Sequence, residues 1–458
     1  MVSLEKPCDR LEVPVLTEGP TRNRAQSEEC EIAFSHDDPT LMWKDRTTEC
    51  VDLKKVFSKF DSTSSTPISG EILFRARFLC AKYLGGAWRK IKIEDFRLRA
   101  ITGGMSNLLF LVELPSHIQP IQMEPEKALL RVHCQSDIDQ LLSESVVFTL
   151  LSERNLGPKM LGVFPGGRFE QFIPSRPLQC LEISKPGLSK LIAPMIARVH
   201  TLDAPVPKEP QTLQTARGWL DRFKKTAAAE KPIEIYLTKA NVPESDYPSK
   251  ITVAQLEKEL NFVEYFLTKS GSPVVFSHND LQEGNFLLID GYKLDDDGTV
   301  RTNDGKLATE EPLSLIDFEY CSYNYRGFDL GNHFCEYGFD YANDEAPYYK
   351  IHQHYFEVEE ERQTFCEAYL NEVYKMRSSG DNPHFPSDLV TGNREMDLER
   401  IKQESILFMP VSNIFWVCWS LINAEESSIA FDYSAYARDR LALYFHQKKH
   451  LEKYLESL

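Results

Sequence analysis

VVFSHNDLQEGNFLLID, Val274 to Asp290, sets a histidine, an aspartate and an asparagine between two apolar runs of strand character. A buried strand does not spend three polar side chains without a reason. His278, Asp280 and Asn285 fall in the order H-x-D-x-x-x-x-N, the spacing of a phosphoryl-transfer catalytic loop. In that chemistry an aspartate orients the attacking hydroxyl or accepts its proton, and an asparagine five residues on is turned back to face a metal ion. Gly284 is read as the residue that permits the turn, and the flanking apolar runs as a hairpin that anchors it. Downstream, LSLIDFEY places Asp317 at the end of another apolar run, where a second carboxylate can hold magnesium.

The chain around this loop has 458 residues, enough for one large two-lobed domain or two ordinary ones. A hydrophobic share of 42% with 26% charged residues marks most of it as globular. The net charge of −17 argues against a broad nucleic-acid surface, which needs clustered Lys and Arg. Such a field suits a small cationic substrate, although ordinary surfaces are also acidic. The ten cysteines form no C-x-x-C pair and read as reduced thiols of a cytoplasmic protein. The first residues, MVSLEKPCDRLE, lack an apolar h-region, so no signal peptide is read there. ILFMPVSNIFWVCWSLI, Ile406 to Ile422, is short for a membrane span and broken by Pro410, Ser412 and Asn413; it is expected to be a buried helix.

Residues 1–48 are polar and without periodicity and are read as a disordered tail. Residues 49–175 read as a helical lead-in followed by a small β-rich lobe. Its parts are a helix that Ser69 can cap, the strands FRLRAIT, NLLFLVEL and KALLRVH, the helix DIDQLLSESVVFTLLSERN stopped near Gly157-Pro158, and a hairpin in GVFPGGRFEQFI. Residues 176–458 read as a larger, mostly helical lobe. The acidic stretch 291–312 contains Asp295-Asp296-Asp297-Gly298 but lacks the alternating ligands and closing glutamate of a calcium loop, and is read as a solvated hairpin. The fold class is therefore α+β, bilobal and kinase-like.

Further motifs stand in the order a phosphotransferase needs. ITGGMSNLLF places two glycines between strands, where backbone N–H groups can cradle phosphate; alone, Gly-Gly there is equally an ordinary turn. Arg131 projects from the strand beyond it and can hold phosphates. Glu144, on the next helix, is expected to pair with Arg131 and fix it. Trp416 and Trp419, three apart, share a helix face; such aromatics form a core stripe or a cation cage. His200 ends an apolar helix and is read as structural, and His333 as a residue that orients the loop near Asp329.

FSHNDLQEGN, LIDFEYCSYNYRGFDLGNHFCEY and EQFIPSR together resemble the choline/ethanolamine kinase family, closest to its choline kinase branch, over roughly residues 50 to 455. Ser277 and Tyr337 depart from the family pattern but only flank the motif residues. The resemblance implies transfer of the γ-phosphoryl of Mg-ATP to the choline hydroxyl, with ATP and Mg2+ as cofactors and a homodimeric assembly. It implies that Thr102, Gly103, Gly104, Met105, Ser106, Asn107 and Leu108 bind ATP phosphates, with Gly104, Met105 and Ser106 also near the product. Arg131 takes the place of the usual kinase lysine, with Glu144 beside it. Gln171, Phe172, Ile173, Pro174, Ser175, Arg176 and Pro177 line the nucleotide between the lobes, and Gln282 lies beside the phosphates or the substrate. Asp280 is the implied base, and Asn285 and Asp317 the implied metal ligands. Tyr320, Glu336, Tyr341, Trp416, Trp419, Phe431 and Tyr436 form the implied choline pocket, with Glu336 as the negative partner. A carboxylate of ordinary low pKa is a weak base toward an alcohol, so Asp280 is expected chiefly to orient the hydroxyl and take its proton late. An ethanolamine kinase would want more hydrogen-bond acceptors in that pocket, and a dead scaffold would have lost Asp280, Asn285 or Asp317.

Overall fold

The computed structural model describes residues 53–57, 68–101, 107–133, 138–357, 359–427 and 429–458. The tail read at 1–48 and residues 102–106 of the phosphate loop read at 102–108 lie outside them.

The first lobe is built on five antiparallel strands: β1 Arg97–Ile101, β2 Asn107–Glu113, β3 Lys127–His133, β4 Met160–Phe164 and β5 Gly167–Gln171. Their order is β1-β2-β3-β5-β4. The period of two in β3 buries Ala128, Leu130 and Val132 on one face and turns Leu129 and Arg131 to the other. Phe57 packs edge-on against Phe110 beneath the sheet, ring centroids 5.5 Å apart. As expected, Ser69 caps the helix Gly70–Leu79, accepting from the Ile72 N–H at 3.4 Å. The helix Ile138–Glu153 ends through Asn155, which takes the left-handed conformation (φ 54°) while the Leu156 N–H donates to the Leu151 carbonyl at 2.9 Å. Gly157 has a different task from the helix stop read in the sequence: a Cβ there would lie 2.6 Å from the ring of Phe318.

β5 runs into a short linker and then β6, Ser175–Pro177, which is already part of the second lobe. β6 pairs with Phe286–Ile289, and that strand pairs with Leu313–Leu315. Val274–Ser277 pairs elsewhere, with Ser322–Tyr325. The two apolar runs flanking the catalytic motif therefore do not form the expected hairpin. They belong to different small sheets, and the polar turn bridges them.

Helices supply the rest of the second lobe. Pro186–His200 packs along Glu359–Ser379, and Met409–Glu426 lies among Thr212–Phe223, Arg326–Glu336 and Tyr433–Glu456. Among the described residues, Arg394–Glu426 is the one segment long and apolar enough to cross a membrane, and 89% of its apolar window is buried inside the fold, as expected of a core helix. Its buried Ser412 donates to Asn332 Oδ1 at 2.8 Å and Asn413 to Gln447 Oε1 at 2.9 Å, so its polar groups are satisfied within the protein. Tyr292–Leu294 and Val300–Thr302 make the hairpin expected of the acidic stretch. Asp297 accepts from the Thr299 N–H at 2.9 Å. No group of three or more metal-ligating side chains occurs among the described residues, and the six cysteines there are free thiols.

Candidate active site

The turn between the two small sheets is held from beneath. Buried Asp329 accepts from the backbone N–H of His278 at 2.8 Å and of Asn279 at 2.6 Å, and lies 3.0 Å from His200 Nε2. His200 Nδ1 is 2.8 Å from the Tyr369 hydroxyl. The structural role read for His200 is thus to steady the carboxylate that fixes the turn. His278 Nε2 lies 3.0 Å from the Ile316 carbonyl, while its Nδ1 accepts from the Asp280 N–H at 3.3 Å, which ties the turn to the residue before Asp317. Burial lowers the pKa of His278 and keeps it neutral for that pairing. His333 Nδ1 holds the Leu281 carbonyl at 3.0 Å, as its reading anticipated, and burial pushes its pKa down to about 4.

The left-handed residue of the turn is Asn279 (φ 68°), not Gly284. The Asn279 amide offsets the strain by donating to the Tyr320 carbonyl at 2.8 Å and to Ser322 Oγ at 2.9 Å. Gly284 instead leaves room for the Gln282 amide, 3.1 Å from where a Cβ would stand. Asn285 donates from Nδ2 both to the Asp280 carbonyl at 2.8 Å and to its carboxylate at 3.0 Å. The Ile316 N–H donates to the Asn285 carbonyl at 3.0 Å, bringing Asp317 alongside. Asp317 itself is left-handed (φ 64°), a conformation that Asp tolerates better than most residues. Burial raises the Asp280 carboxyl well above the usual range, and the charges of Glu336 and Asp317 add to it. The low pKa assumed from sequence is corrected by this environment, which makes Asp280 the better base.

Across the cleft, Arg131 Nη1 lies 4.0 Å from Asp317. Its Nε donates to Glu170 at 2.6 Å, Arg168 donates to the same oxygen at 2.7 Å, and Arg168 reaches Glu144 at 2.8 Å. Glu144 therefore partners Arg168 rather than Arg131. The cause is register: Arg131 and Arg168 stand directly opposite on β3 and β5, so two like charges meet and a carboxylate must lie between them. Glu170 is that carboxylate. Burial would raise its pKa, but the two guanidiniums outweigh this and bring it to about 2.

The other sites expected on the nucleotide side are placed as follows. Asn107 and Leu108 open β2, opposite His133 and Val132. The Gln171 amide oxygen accepts from the Lys159 N–H at 3.1 Å, and the Phe172 ring lies 5.8 Å from Lys127 Nζ. The Ile173 carbonyl accepts from Ser175 Oγ at 2.8 Å, and the Pro174 carbonyl from the Asp290 N–H at 2.8 Å. Arg176 is spent on Glu182, with two bonds of 2.8 Å.

The expected aromatic pocket divides into two parts. Tyr320 and Trp419 line an open cavity of about 770 Å³ together with Trp219, Phe415 and Tyr433; Trp419 Nε1 donates to the Tyr320 hydroxyl at 3.1 Å. Trp416 is buried, donates to Asn332 Oδ1 at 2.8 Å and meets Tyr320 and Trp419 edge-on, so the core reading applies to it. Glu336, Tyr341 and Tyr436 form a second cluster with Phe431 packed on its rings. Glu336 is not an open negative partner: Oε1 accepts from Arg440 at 2.6 Å and Oε2 from the Tyr341 hydroxyl at 2.8 Å. Sequence reasoning missed Glu170, Asp329, Arg440 and Tyr433. Asp329 stands in the first turn of the buried helix Arg326–Glu336; the partners of Glu170 and Arg440 are set by pairings that no local pattern announces.

A β-rich lobe carrying the half-buried Arg131, set over a helical lobe whose polar turn presents Asp280 and Asn285 with Asp317 brought alongside, defines the bilobal, protein-kinase-like class. Solved structures agree on the fold. The choline kinase from Cryptosporidium parvum Iowa II matches with a TM-score of 0.61 at 24% identity, covering 83% of this chain and 98% of its own. The Plasmodium vivax ethanolamine kinase matches with a TM-score of 0.59 at 20% identity, covering 90% and 96%. The choline/ethanolamine kinase family model matches residues 98–445, and the chain belongs to that family. Among curated relatives, choline kinase A2 of Caenorhabditis elegans is 41% identical over 413 residues, 87% of this chain and 91% of the relative. The choline/ethanolamine kinase of Homo sapiens is 38% identical over 380 residues, 82% and 86% respectively.

Proposed function

We propose that the chain is an ATP-dependent choline kinase, transferring the γ-phosphoryl of Mg-ATP to the choline hydroxyl to give phosphocholine and ADP. The observation that carries this is the meeting of the Asp280–Asn285 pair and the Arg131–Asp317 pair beside a cavity walled by aromatic rings. The names of the relatives support the same activity.

Phosphoryl transfer has a loose transition state, so positioning and charge neutralisation do most of the work. Asp280 orients the hydroxyl and accepts its proton as the oxygen bonds to phosphorus. Its raised pKa suits that task, and the Asn285 amide fixes the carboxylate. Arg131, steadied by Glu170, faces the phosphates. The 102–106 backbone and Gln282 are assigned to phosphate, and the linker 171–177 to the nucleotide. The donor set fits magnesium: Asn285 spends Nδ2 on Asp280 and keeps Oδ1, and the Asp317 side chain stays 34% exposed toward the cleft. Magnesium prefers few protein oxygens plus phosphate, so Asn285 and Asp317 would suffice as its protein ligands. Held by Asn285 and Asp317, a magnesium ion would supply charge neutralisation for the phosphates.

A quaternary ammonium offers no strong hydrogen-bond donor and is recognised by ring faces. The walls of the cavity suit choline, with ethanolamine as a side substrate. By family resemblance the protein is cytoplasmic and homodimeric and opens phosphatidylcholine synthesis by the CDP-choline route. The test offers Mg-ATP with choline, N-methylated ethanolamines and ethanolamine. kcat/KM is expected to fall as methyl groups are removed; a rise would favour the ethanolamine kinase reading instead. No turnover with any amino alcohol would end the proposal.

A further inference from the structure

The face of β3 that bears Arg131 carries one ionisable group that phosphoryl transfer, as described above, does not use. His133 lies two residues beyond Arg131, and alternation along the strand turns both to the same side. It closes the strand opposite Asn107, the residue with which β2 begins after 102–106, and its N–H donates to the Gly166 carbonyl at 3.0 Å. The strand end is thus held from both sides next to the segment assigned to phosphate. His133 is 6% exposed, and its Nδ1 is buried with no hydrogen-bond partner among the described residues. Native interiors rarely leave such a nitrogen without a task.

The charged groups around the ring are Arg131 from its own strand, Arg168 and Glu170 from β5, and Glu144 from the helix Ile138–Glu153. The helix Leu53–Phe57 packs against the other face of the sheet, through Phe57 on Phe110. Two guanidiniums and two carboxylates cancel, so these four groups bring no net charge to a phosphate chain. Burial, followed by the charge of Arg168, lowers the His133 pKa from its ordinary value, and the ring is neutral in the free protein at neutral pH.

Resting on the reading of ATP as the donor, we propose that His133 takes up a proton from solvent when nucleotide phosphates bind, supplying the cation that the balanced network beside it does not. An anion on this face favours the charged imidazole, and by linkage the charged imidazole favours the anion. Affinity for the nucleotide then rises as the pH falls.

The test is calorimetric titration with Mg-ATP, without an acceptor alcohol, in buffers of different ionisation enthalpy, which gives the protons taken up per nucleotide. Wild type and His133→Gln receive the same nucleotide solutions, so protons exchanged by the phosphates themselves cancel in the difference. Wild type is expected to take up on the order of half a proton more than His133→Gln at about pH 6.5, and to gain about fivefold more affinity between about pH 8 and about pH 6. Equal uptake with parallel pH dependence would overturn the proposal. If His133→Gln does not fold, the titration of the His133 ring, followed by NMR in histidine-labelled wild type, decides. A curve moved to higher pH by Mg-ATP supports the assignment, and an unmoved curve overturns it. Nucleotide binding without uptake at His133 ends this inference alone; a protein that binds no nucleotide ends the kinase reading with it.

Discussion

Arg131 in the β-rich lobe, half-buried, and Arg440 in the helical lobe, fully buried, are both clasped by a carboxylate, yet their surroundings differ. Arg131 shares Glu170 with Arg168, which also reaches Glu144, and one edge of Arg131 is left 4.0 Å from Asp317. Arg440 has Glu336 to itself, two tyrosines around it and a phenyl ring over its face. Register explains the first arrangement, because two arginines opposed on neighbouring strands take Glu170 between them, Arg168 turns to Glu144, and an edge of Arg131 stays toward Asp317. The second is a closed pair within helices, and its cost of desolvation is offset by bonds on both glutamate oxygens. One network leaves an arginine edge beside Asp317; the other encloses its arginine among aromatic rings.

Asp280 lies between these networks, and its replacement should have the largest effect. Asp280→Asn is expected to lower kcat by about a thousandfold or more, with ATP affinity changed less than about threefold. Loss of ATP binding in a titration would instead tie Asp280 to the Arg131 side. Next, Arg131→Met should raise the KM for ATP by about tenfold or more and move that for choline little, since it removes a charge-assisted contact to phosphate. Equal shifts in both would dissolve the contrast between the networks. Trp419→Ala should raise the KM for choline by about tenfold while leaving that for ATP within about twofold; equal shifts would reduce Trp419 to packing.

The smallest effect is on stability, read by urea unfolding across pH. His333 has a folded pKa of about 4 against an ordinary 6.5, so its contribution is full above 6.5 and is lost as pH falls toward 4. Glu170, at about 2 against 4.5, contributes fully above 4.5 and loses that contribution as pH falls toward 2. The helical lobe's brace should therefore weaken before the strand network does, each on the order of 3 kcal/mol. Glu170→Gln should remove the lower limb and leave the upper; loss of both limbs together would show that the two groups titrate as one system.

Legibility followed the range of the interactions. The strands Arg97–Ile101, Asn107–Glu113 and Lys127–His133 were readable because alternation and turn residues are local, and the catalytic spacing was readable because Asp280 and Asn285 lie on one turn. The partner of Glu144 was misread because it depends on which residue of β5 stands opposite Arg131. The state of Glu336 was hidden because Arg440 lies 104 residues away in sequence. The pKa of Asp280 was misjudged for the same reason: its carboxyl is raised by burial and by charges brought in from other elements.

The β6 strand carries one more consequence. Ser175, Arg176 and Pro177 are laddered onto Ile289, Leu288 and Leu287, and the Pro174 carbonyl is bonded to Asp290, while Gln171 still belongs to the first lobe's sheet. Any swing of one lobe over the other must therefore pivot on Phe172 and Ile173. A two-residue pivot allows a short arc about a nearly fixed axis, so opening to release ADP would change the width of the cleft while its two walls keep their alignment.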